Sequence, residues 1–223
     1  MGAFCMNLLP KRATEYLKSE FARHLRSDVT VILFTQEVEC PSCREAREIV
    51  QEVAALHPKI NFQVYDFLTE SDLAEKLGVD KIPAVVLDGE KNRRVRFFGL
   101  PTGYEFAPLV EDIVDLSTGG TRLSEVARAR IKDVSYPVHI QVFTTPTCPY
   151  CPRMVRLAHQ FAMENGLIES DMVSAIEFPQ LAQRYAVMAV PKTVINDVVE
   201  IVGVVPEAHF VEQILQASKP LRT

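Results

Sequence analysis

The sequence lacks the features of several large protein classes. No apolar run approaches the roughly 20 residues that a membrane-spanning helix requires. The basic residues form no stripe, and a net charge of −5 is not what a nucleic-acid binder usually carries. The short apolar stretch near the amino terminus precedes its positive charges, which is the reverse of a signal peptide. We therefore predict a cytoplasmic protein with neither a nucleic-acid nor a membrane partner.

Cysteine is also scarce, with five residues among 223, whereas a secreted disulfide scaffold would be smaller and richer in cysteine. Cys5 has no partner at a useful spacing, which favours a small buried hydrophobe or an incidental thiol. The other four form two C-x-x-C pairs, Cys40 with Cys43 and Cys148 with Cys151. In an intracellular chain this spacing indicates redox chemistry or metal binding.

Two stretches of the chain repeat one pattern. In each, a β-branched and aromatic run of strand length leads within a few residues to C-P-x-C, and the motif opens a run with apolar residues at helical spacing. Further along, Cys43 precedes Pro83 by 40 residues, and Cys151 precedes Pro191 by the same number. The matched segments are Val29–Thr35 with Val138–Thr144, Cys40–Cys43 with Cys148–Cys151, and Gly78–Pro83 with Ala186–Pro191.

Each half is predicted to run helix, strand, helix, strand, helix, strand, strand, helix. Parallel strands need crossover helices, and this order supplies them. The middle strands are the least distinct, and we place them at Phe62–Tyr65 and Met172–Ile176. Ser117–Gly120 is the clearest flexible stretch. The predicted units therefore span residues 1–117 and 118–223, with one cysteine motif in each.

A C-P-x-C motif between a strand and a helix, followed by a proline before a later strand, resembles the thioredoxin/glutaredoxin superfamily. Cys148-Pro149-Tyr150-Cys151 resembles the glutaredoxin sequence itself. Two such halves in one chain resemble the glutaredoxin-like protein disulfide oxidoreductases of thermophilic archaea and bacteria. The resemblance covers about the whole chain beyond the first dozen residues. It implies an α/β fold class with tandem thioredoxin-like folds, each a central mixed sheet flanked by helices.

The resemblance also implies thiol–disulfide exchange on protein substrates, whether reduction, oxidation or isomerisation. It implies electrons from a thioredoxin-reductase-type flavoenzyme, no bound cofactor, and redox-active disulfides Cys40–Cys43 and Cys148–Cys151. The chain departs from thioredoxin six residues before each first cysteine, where thioredoxin has a buried acid and this chain has Phe34 and Val142. It also has no tryptophan before either pair. Thioredoxin's route for the proton is therefore not carried over.

Disulfide exchange needs a thiolate nucleophile and a second thiol that releases the mixed disulfide. A helix start suits both, because its unpaired N–H groups and positive dipole end favour the thiolate. We predict that the first cysteine of each pair, Cys40 or Cys148, is the exposed nucleophile. Cys43 and Cys151 are then the resolving thiols, which reach back across one turn.

The other residues of the motifs are predicted to shape them. Pro41 and Pro149 suit an early helical position, where a missing N–H costs little. Pro152 fits less well and is expected to bend the first turn of its helix. Ser42 and Tyr150 fill the variable position, and Tyr150 is predicted to shape the surface that meets the substrate.

The prolines at the end of the repeat are predicted to follow cis peptide bonds, at Ile82–Pro83 and Val190–Pro191. The resemblance implies that this loop faces the cysteines and offers its backbone to an extended substrate. Ile82, Pro83, Val190 and Pro191 are therefore the candidate substrate-binding residues.

The two sites are predicted to differ in acidity. Acidic residues precede Cys40, and nearby negative charge disfavours a thiolate. Basic residues follow Cys148, which is therefore predicted to be the more acidic and faster nucleophile at neutral pH. The charges concerned are Glu37 and Glu39 in the first half and Arg153 and Arg156 in the second.

Two other functions remain open from the residues alone. Two C-x-x-C pairs can share a zinc ion, but such pairs usually lie about 15–20 residues apart, and Cys43 and Cys148 are 105 apart. The histidines show no H-E-x-x-H spacing, so no metal ligands are predicted. The second alternative is a redox-inert scaffold that binds proteins and keeps its thiols for structure.

Overall fold

The two halves of the chain follow the same order of elements, as predicted. A computed structural model describes residues 8–90 and 93–218, so that Cys5 lies outside the described residues. The helices are α1 (Lys11–His24), α2 (Cys43–Ala54), α3 (Ser71–Lys76), α4 (Phe106–Thr118), α5 (Glu125–Arg130), α6 (Cys151–Glu164), α7 (Pro179–Arg184) and α8 (Glu207–Ala217). The strands are β1 (Val29–Thr35), β2 (Ile60–Asp66), β3 (Ala84–Asp88), β4 (Arg94–Phe98), β5 (Val138–Thr144), β6 (Ile168–Ser174), β7 (Lys192–Ile195) and β8 (Val199–Val202).

These eight strands form a single sheet in the order β2-β1-β3-β4-β6-β5-β7-β8. Within each half, one parallel pair is followed by two antiparallel pairs, which makes the half a mixed sheet. The halves join where β4 and β6 pair in parallel, Arg96 to Phe98 against Asp171 to Val173. Two tandem thioredoxin-like units therefore share one continuous sheet.

This topology places both cysteine motifs on the same edge of the sheet. β1 and β5 run in the same direction, because two antiparallel pairings lead from β1 to β4 and two parallel pairings lead from β4 to β5. Each motif follows the carboxyl end of its strand. Four strand spacings separate β1 from β5, which corresponds to about 19 Å at the usual distance between strands.

The middle strand of the second half is predicted wrongly at both ends. It spans Ile168–Ser174 rather than Met172–Ile176. Its first part is polar, and the sequence pattern conceals it for that reason. Asp171 is nevertheless buried in the sheet, because it accepts a hydrogen bond from Nε of Arg96 at 2.6 Å and lies 2.6 Å from Nε2 of His139. The first middle strand contains the predicted residues and is longer, as given above.

The two faces of the sheet are covered unequally. Side chains alternate between faces along a strand, so Leu33 and Phe97 lie on one face and Phe34 and Phe98 on the other. The first face packs against the long helices α2, α4, α6 and α8. The second packs against α3 and α7, which have six residues each.

The junction between the halves is more ordered than the sequence suggests. α4 continues to Thr118, and Gly119 ends it with a φ of 69°. Ser117 is buried, and its Oγ accepts a hydrogen bond from the backbone N–H of Arg26 at 2.9 Å. The first two residues of the expected flexible stretch are therefore helical, and hydrogen bonds tie Ser117 to the segment just before β1. A unit boundary after residue 117 stays our proposal.

A buried ionic network holds α4 of the first unit against α6 of the second. The guanidinium of Arg156 contacts the carboxylates of Asp112 and Asp115 and donates from Nε to Glu111 at 3.1 Å. Nδ1 of His159 lies 2.6 Å from the Asp112 carboxylate. Burial lowers the pKa of His159 to about 3, so this imidazole stays neutral at neutral pH. Arg156 therefore supplies a positive charge to three carboxylates at the contact between the units.

We expect Arg156→Met to lower the free energy of unfolding by about 3–5 kcal/mol, because it leaves buried carboxylates without their cation. Chemical denaturation at pH 7 measures this loss. Arg122→Met is the matched control, since Arg122 lies 3.7 Å from the same Glu111 but its side chain is 70% exposed. Exposed pairs contribute about 0–1 kcal/mol. Equal losses in the two variants would contradict the prediction.

Candidate active site

Each cysteine pair lies at the start of a helix, and each is oxidised in the structure. α2 begins at Cys43 and α6 at Cys151, so the first cysteine of each pair belongs to the turn before the helix. The disulfides join Cα atoms 5.4 Å apart at Cys40–Cys43 and 5.6 Å apart at Cys148–Cys151, inside the usual range for a disulfide. The helix start brings N–H groups to the sulfurs, and the backbone N of Cys151 lies 3.2 Å from Sγ of Cys148.

The exposure of the cysteines follows the predicted order within each pair. Cys43 and Cys151 are buried, and Cys40 is partly exposed. Cys148, however, is only 8% exposed, so the expectation of an exposed nucleophile there is too strong for the oxidised state. Backbone from two other segments, described below, packs around this cysteine and the loop before it.

The prolines of the motifs lie elsewhere than predicted. Pro41 and Pro149 precede the helices and lie in the turns between the cysteines. Pro152 is the second residue of α6, where its missing N–H has no partner in the helix to lose. Pro152 therefore fits the first turn of α6. α2 and α6 therefore start two residues after Pro41 and Pro149, because the residues between the two cysteines of each pair form a turn.

The proline loop faces the second dithiol. Both Ile82–Pro83 and Val190–Pro191 are cis, as predicted. The carbonyl oxygen of Val190 lies 3.8 Å from Sγ of Cys148. Pro191 is buried, and its carbonyl accepts a hydrogen bond from the N–H of Gly203 at 2.8 Å, which anchors the loop to the sheet.

The same anchoring recurs in the first unit. The carbonyl of Pro83 accepts a hydrogen bond from the N–H of Gly99 at 2.9 Å. Pro83 is buried and Ile82 is partly exposed, which matches Pro191 and Val190 in the second unit. The two proline loops therefore share a cis peptide bond and the same backbone hydrogen bond to a glycine N–H.

A buried carboxyl group of the first unit belongs to a turn that packs against the loop before Cys148. Glu105 is 1% exposed and closes a 3-10 turn that starts at Gly103. The N–H of Tyr104 donates to the carbonyl of Pro146 at 3.0 Å, two residues before Cys148. Within the part of the chain that the structure describes, neither Glu105 carboxyl oxygen has a hydrogen-bond partner. Burial raises the pKa of Glu105 to about 8.

Only a glycine allows this turn to approach the cysteine loop so closely. Gly103 has a φ of 60°, a conformation that other residues rarely adopt. A Cβ atom at this position would also clash with the carbonyl oxygen of Pro146. The turn that carries Glu105 therefore lies directly against the segment that leads to Cys148.

The rims of the two sites differ in polarity. The second site exposes Tyr150, at 68%, and Met188, two residues before Val190 in the proline loop. The first site opens into a cleft of about 530 Å³ whose rim carries charges of both signs. The charged residues of this cleft are Glu37, Asp66, Arg44 and Arg47.

One reason for the predicted acidity of Cys148 does not hold. Arg156 is buried and committed to three carboxylates, so it adds no free positive charge to the second site. Arg44, next to Cys43, pairs with Glu48 at 3.0 Å. The higher acidity of Cys148 stays a prediction, now supported by the exposed Arg153 and by the negative charges near Cys40.

Sequence reasoning missed two acidic residues that approach the cysteine loops from the other unit. Glu105 borders the loop before Cys148, and Glu177 accepts a hydrogen bond from Ser42 between Cys40 and Cys43. In each case the acid belongs to one unit and the cysteines to the other. No spacing within a half of the sequence signals such a contact.

Two further features concern only residues 8–90 and 93–218. In these ranges no three histidine, cysteine or acidic side chains come together in a way that suits a metal ion. In the same ranges no helix has both the length and the apolar character that a bilayer crossing requires.

Comparison with known proteins identifies relatives along most of the chain. The family model described as "Thioredoxin domain" matches residues 28–111 and 138–216. The thioredoxin of Methanocaldococcus jannaschii is 40% identical over 78 residues, which are 34% of this chain and 92% of that protein. The crystal structure of a protein disulfide oxidoreductase from Aeropyrum pernix K1 is similar with a TM-score of 0.87 and 31% identity, covering 94% of this chain and 93% of the other.

A part of a larger enzyme is similar as well. The crystal structure of the NTD_N/C domain of alkylhydroperoxide reductase AhpF from Enterococcus faecalis has a TM-score of 0.85 and 26% identity, covering 92% of this chain and 99% of the other. An alkyl hydroperoxide reductase polypeptide from Staphylococcus aureus is 25% identical, and the chain spans only 28% of its length. The likeness to these proteins is therefore a likeness to one portion of them.

Proposed function

The chain belongs to the thioredoxin domain family, and we propose that its two dithiols exchange disulfides with other proteins. It is a thiol–disulfide oxidoreductase with two C-x-x-C sites, Cys40–Cys43 and Cys148–Cys151. The two-unit layout and the likeness to the Aeropyrum pernix protein support placing it among glutaredoxin-like protein disulfide oxidoreductases.

One observation carries the proposal for a protein substrate. The carbonyl of Val190 lies 3.8 Å from Sγ of Cys148, next to a proline that the sheet holds in place. An extended peptide that pairs with this backbone would present its own sulfur to Cys148. Val190 and Pro191 are the proposed substrate contacts at this site. Ile82 and Pro83 have the corresponding role at the first site.

Reduction of a substrate disulfide takes two steps at each site. The thiolate of Cys148 attacks a substrate sulfur, so that a mixed disulfide forms and the substrate disulfide breaks. The released substrate thiolate takes up a proton. Cys151 then loses its proton and attacks Sγ of Cys148, which closes the intramolecular disulfide and releases the second substrate thiolate. Two electrons pass to the substrate, and oxidation is the reverse sequence.

Glu105 is the proposed proton acceptor for Cys151. The acid that thioredoxin keeps before its motif is replaced here by Val142, and Glu105 supplies a buried carboxyl from the other unit. Its turn packs on the loop before Cys148, and its pKa of about 8 is close to that of a thiol. Similar pKa values favour proton transfer in both directions.

The proposed electron donor is a thioredoxin-reductase-type flavoenzyme. The likeness of the chain to part of alkylhydroperoxide reductase AhpF supports a reductase as its redox partner. A purified reductase of this type, supplied with its nicotinamide nucleotide, should reduce both disulfides of the chain. The proposed location is the cytoplasm.

Insulin reduction tests the proposed function. With dithiothreitol as reductant, we expect the chain to precipitate the insulin B chain much faster than dithiothreitol alone, because the mixed disulfide opens a faster route. The matched control is the same protein reduced and then alkylated with iodoacetamide, which should lose the whole acceleration. Failure of the untreated chain to accelerate the reaction, together with bound zinc or thiols that resist oxidation, would overturn the proposal.

A further inference from the structure

Glu177, in the second unit, reaches across to the dithiol of the first. It follows β6, and its Oε2 accepts a hydrogen bond from Oγ of Ser42, the residue before Cys43. Its Oε1 accepts a second hydrogen bond, at 2.8 Å, from the backbone N–H of Leu100. The carboxylate thus links the end of β4 to the turn that holds Cys40 and Cys43.

The first unit is shaped to receive this side chain. Gly99 has a φ of 104°, which is strained for any other residue. A Cβ atom at Gly99 would lie 2.6 Å from Oε1 of Glu177 and would clash with Cβ of Ser174. The backbone directly after β4 therefore leaves room for Glu177 only because residue 99 is glycine. The position of Glu177 thus depends on the backbone of the first unit.

Ser42 connects Glu177 to the redox chemistry. It is the residue directly before α2 and lies within a turn in which the N–H of Cys43 donates to the carbonyl of Cys40 at 3.3 Å. The hydrogen bond from Ser42 to Glu177 therefore restrains the turn between the two cysteines. The second site has Tyr150 at this position with a side chain 68% exposed, so the two dithiols differ in this respect.

The acidic residues near the first dithiol differ in how far their charge is offset. The cleft beside Cys40 is lined by Glu37 and Asp66 and also by Arg44 and Arg47, so it carries charges of both signs. Glu39 is exposed and screened by water. Glu177 is partly buried, and no cationic side chain within the described ranges forms a salt bridge with it. Its negative charge therefore acts on the dithiol with less screening than that of the exposed acids.

We propose that Glu177 is a positioning residue that keeps the Cys40–Cys43 dithiol less acidic and more strongly reducing than it would otherwise be. The inference rests on the proposed function and adds to it, because it names a residue of the second unit that tunes the first site. A negative charge held on Ser42, in the turn between Cys40 and Cys43, disfavours the thiolate of Cys40 and so raises the thiol pKa. Disfavouring the thiolate also favours the disulfide over the dithiol.

The test isolates the first site in a chain with Cys148→Ser and Cys151→Ser. In that background, Glu177→Gln should lower the pKa of Cys40 by about 0.5–1 unit, measured from the pH dependence of alkylation. It should also shift the equilibrium with glutathione about 3–10-fold toward the dithiol. The matched control is Glu45→Gln, an exposed carboxylate in the first turn of α2, which should change both quantities by less than about twofold.

A second variant protects the test against a folding defect. Ser42→Ala removes the hydrogen bond to Glu177 and keeps the charge, so the Cys40 pKa should fall by less than in Glu177→Gln. Equal values in Glu177→Gln and its parent, or an equal shift in Glu45→Gln, would overturn the inference. Insulin turnover in the same chains separates the two proposals. A lack of turnover contradicts the proposed function. The measured pKa of Cys40 decides the role of Glu177 whether or not the chain turns over insulin.

Discussion

The chain with both Cys40→Ser and Cys148→Ser is expected to reduce insulin no faster than dithiothreitol alone. Both nucleophiles are then absent, and a serine hydroxyl cannot form the mixed disulfide. Each single variant should keep the turnover of the other site, because the two disulfides lie about 19 Å apart along the sheet edge by strand count. At this distance a sulfur of one site cannot attack a sulfur of the other without a large movement.

The single variants also decide whether the sites act separately. The matched controls are Cys43→Ser and Cys151→Ser, which keep the nucleophile and should accumulate a mixed disulfide that mass spectrometry detects. Complete loss of turnover in both Cys40→Ser and Cys148→Ser would contradict independent sites and indicate a relay from one dithiol to the other.

Replacing Glu105 with glutamine should raise the free energy of unfolding above pH 8 by roughly 3–5 kcal/mol. Burial raises the pKa of Glu105 from 4.5 to about 8. Between these pH values the folded chain holds a proton that the unfolded chain has released, so the contribution of this group to stability falls as the pH rises through the window. Glutamine has a similar shape and does not titrate, which removes the fall. Denaturant titrations at pH 5 and pH 9 measure the difference.

The same variant should be a slower enzyme at the second site. In a Cys40→Ser background, Glu105→Gln should lower insulin turnover on the order of 100-fold, the usual contribution of a positioned proton acceptor. A more stable but slower protein is the combined signature of a buried functional acid. Glu125→Gln, an exposed carboxylate in the first turn of α5, is the control and should change neither quantity. Unchanged turnover in Glu105→Gln would leave the residue with a structural role only.

Buried polar residues explain why the sequence pattern predicted the bounds of some strands and not of others. β1 and β5 have the predicted bounds because their apolar residues meet apolar layers on both faces. β6 does not, because Asp171 is buried against Arg96 from the other unit. Arg96 and His139 hold the pKa of Asp171 below its usual range in spite of burial. A strand stabilised by a buried ion pair carries no alternating pattern to detect.

The sequence by itself determined the chemistry and the repeat. A C-P-x-C motif between a strand and a helix, written twice at equal distances from a proline, specifies two dithiols and a repeated order of elements. These features are local, because the two cysteines of a pair lie within one turn of backbone and the order of elements follows from residue periodicity.

Only the tertiary structure decided how the two units cooperate. The pairing of β4 with β6 places residues distant in sequence side by side, Arg96 beside Asp171, and brings Glu177 to Ser42 across 135 positions of the chain. The same packing carries Glu105 to the loop before Cys148. Contacts between units depend on the shape of both folded halves, and no periodicity within either half encodes them. The two acids that approach the cysteine loops are therefore placed there by the assembled sheet.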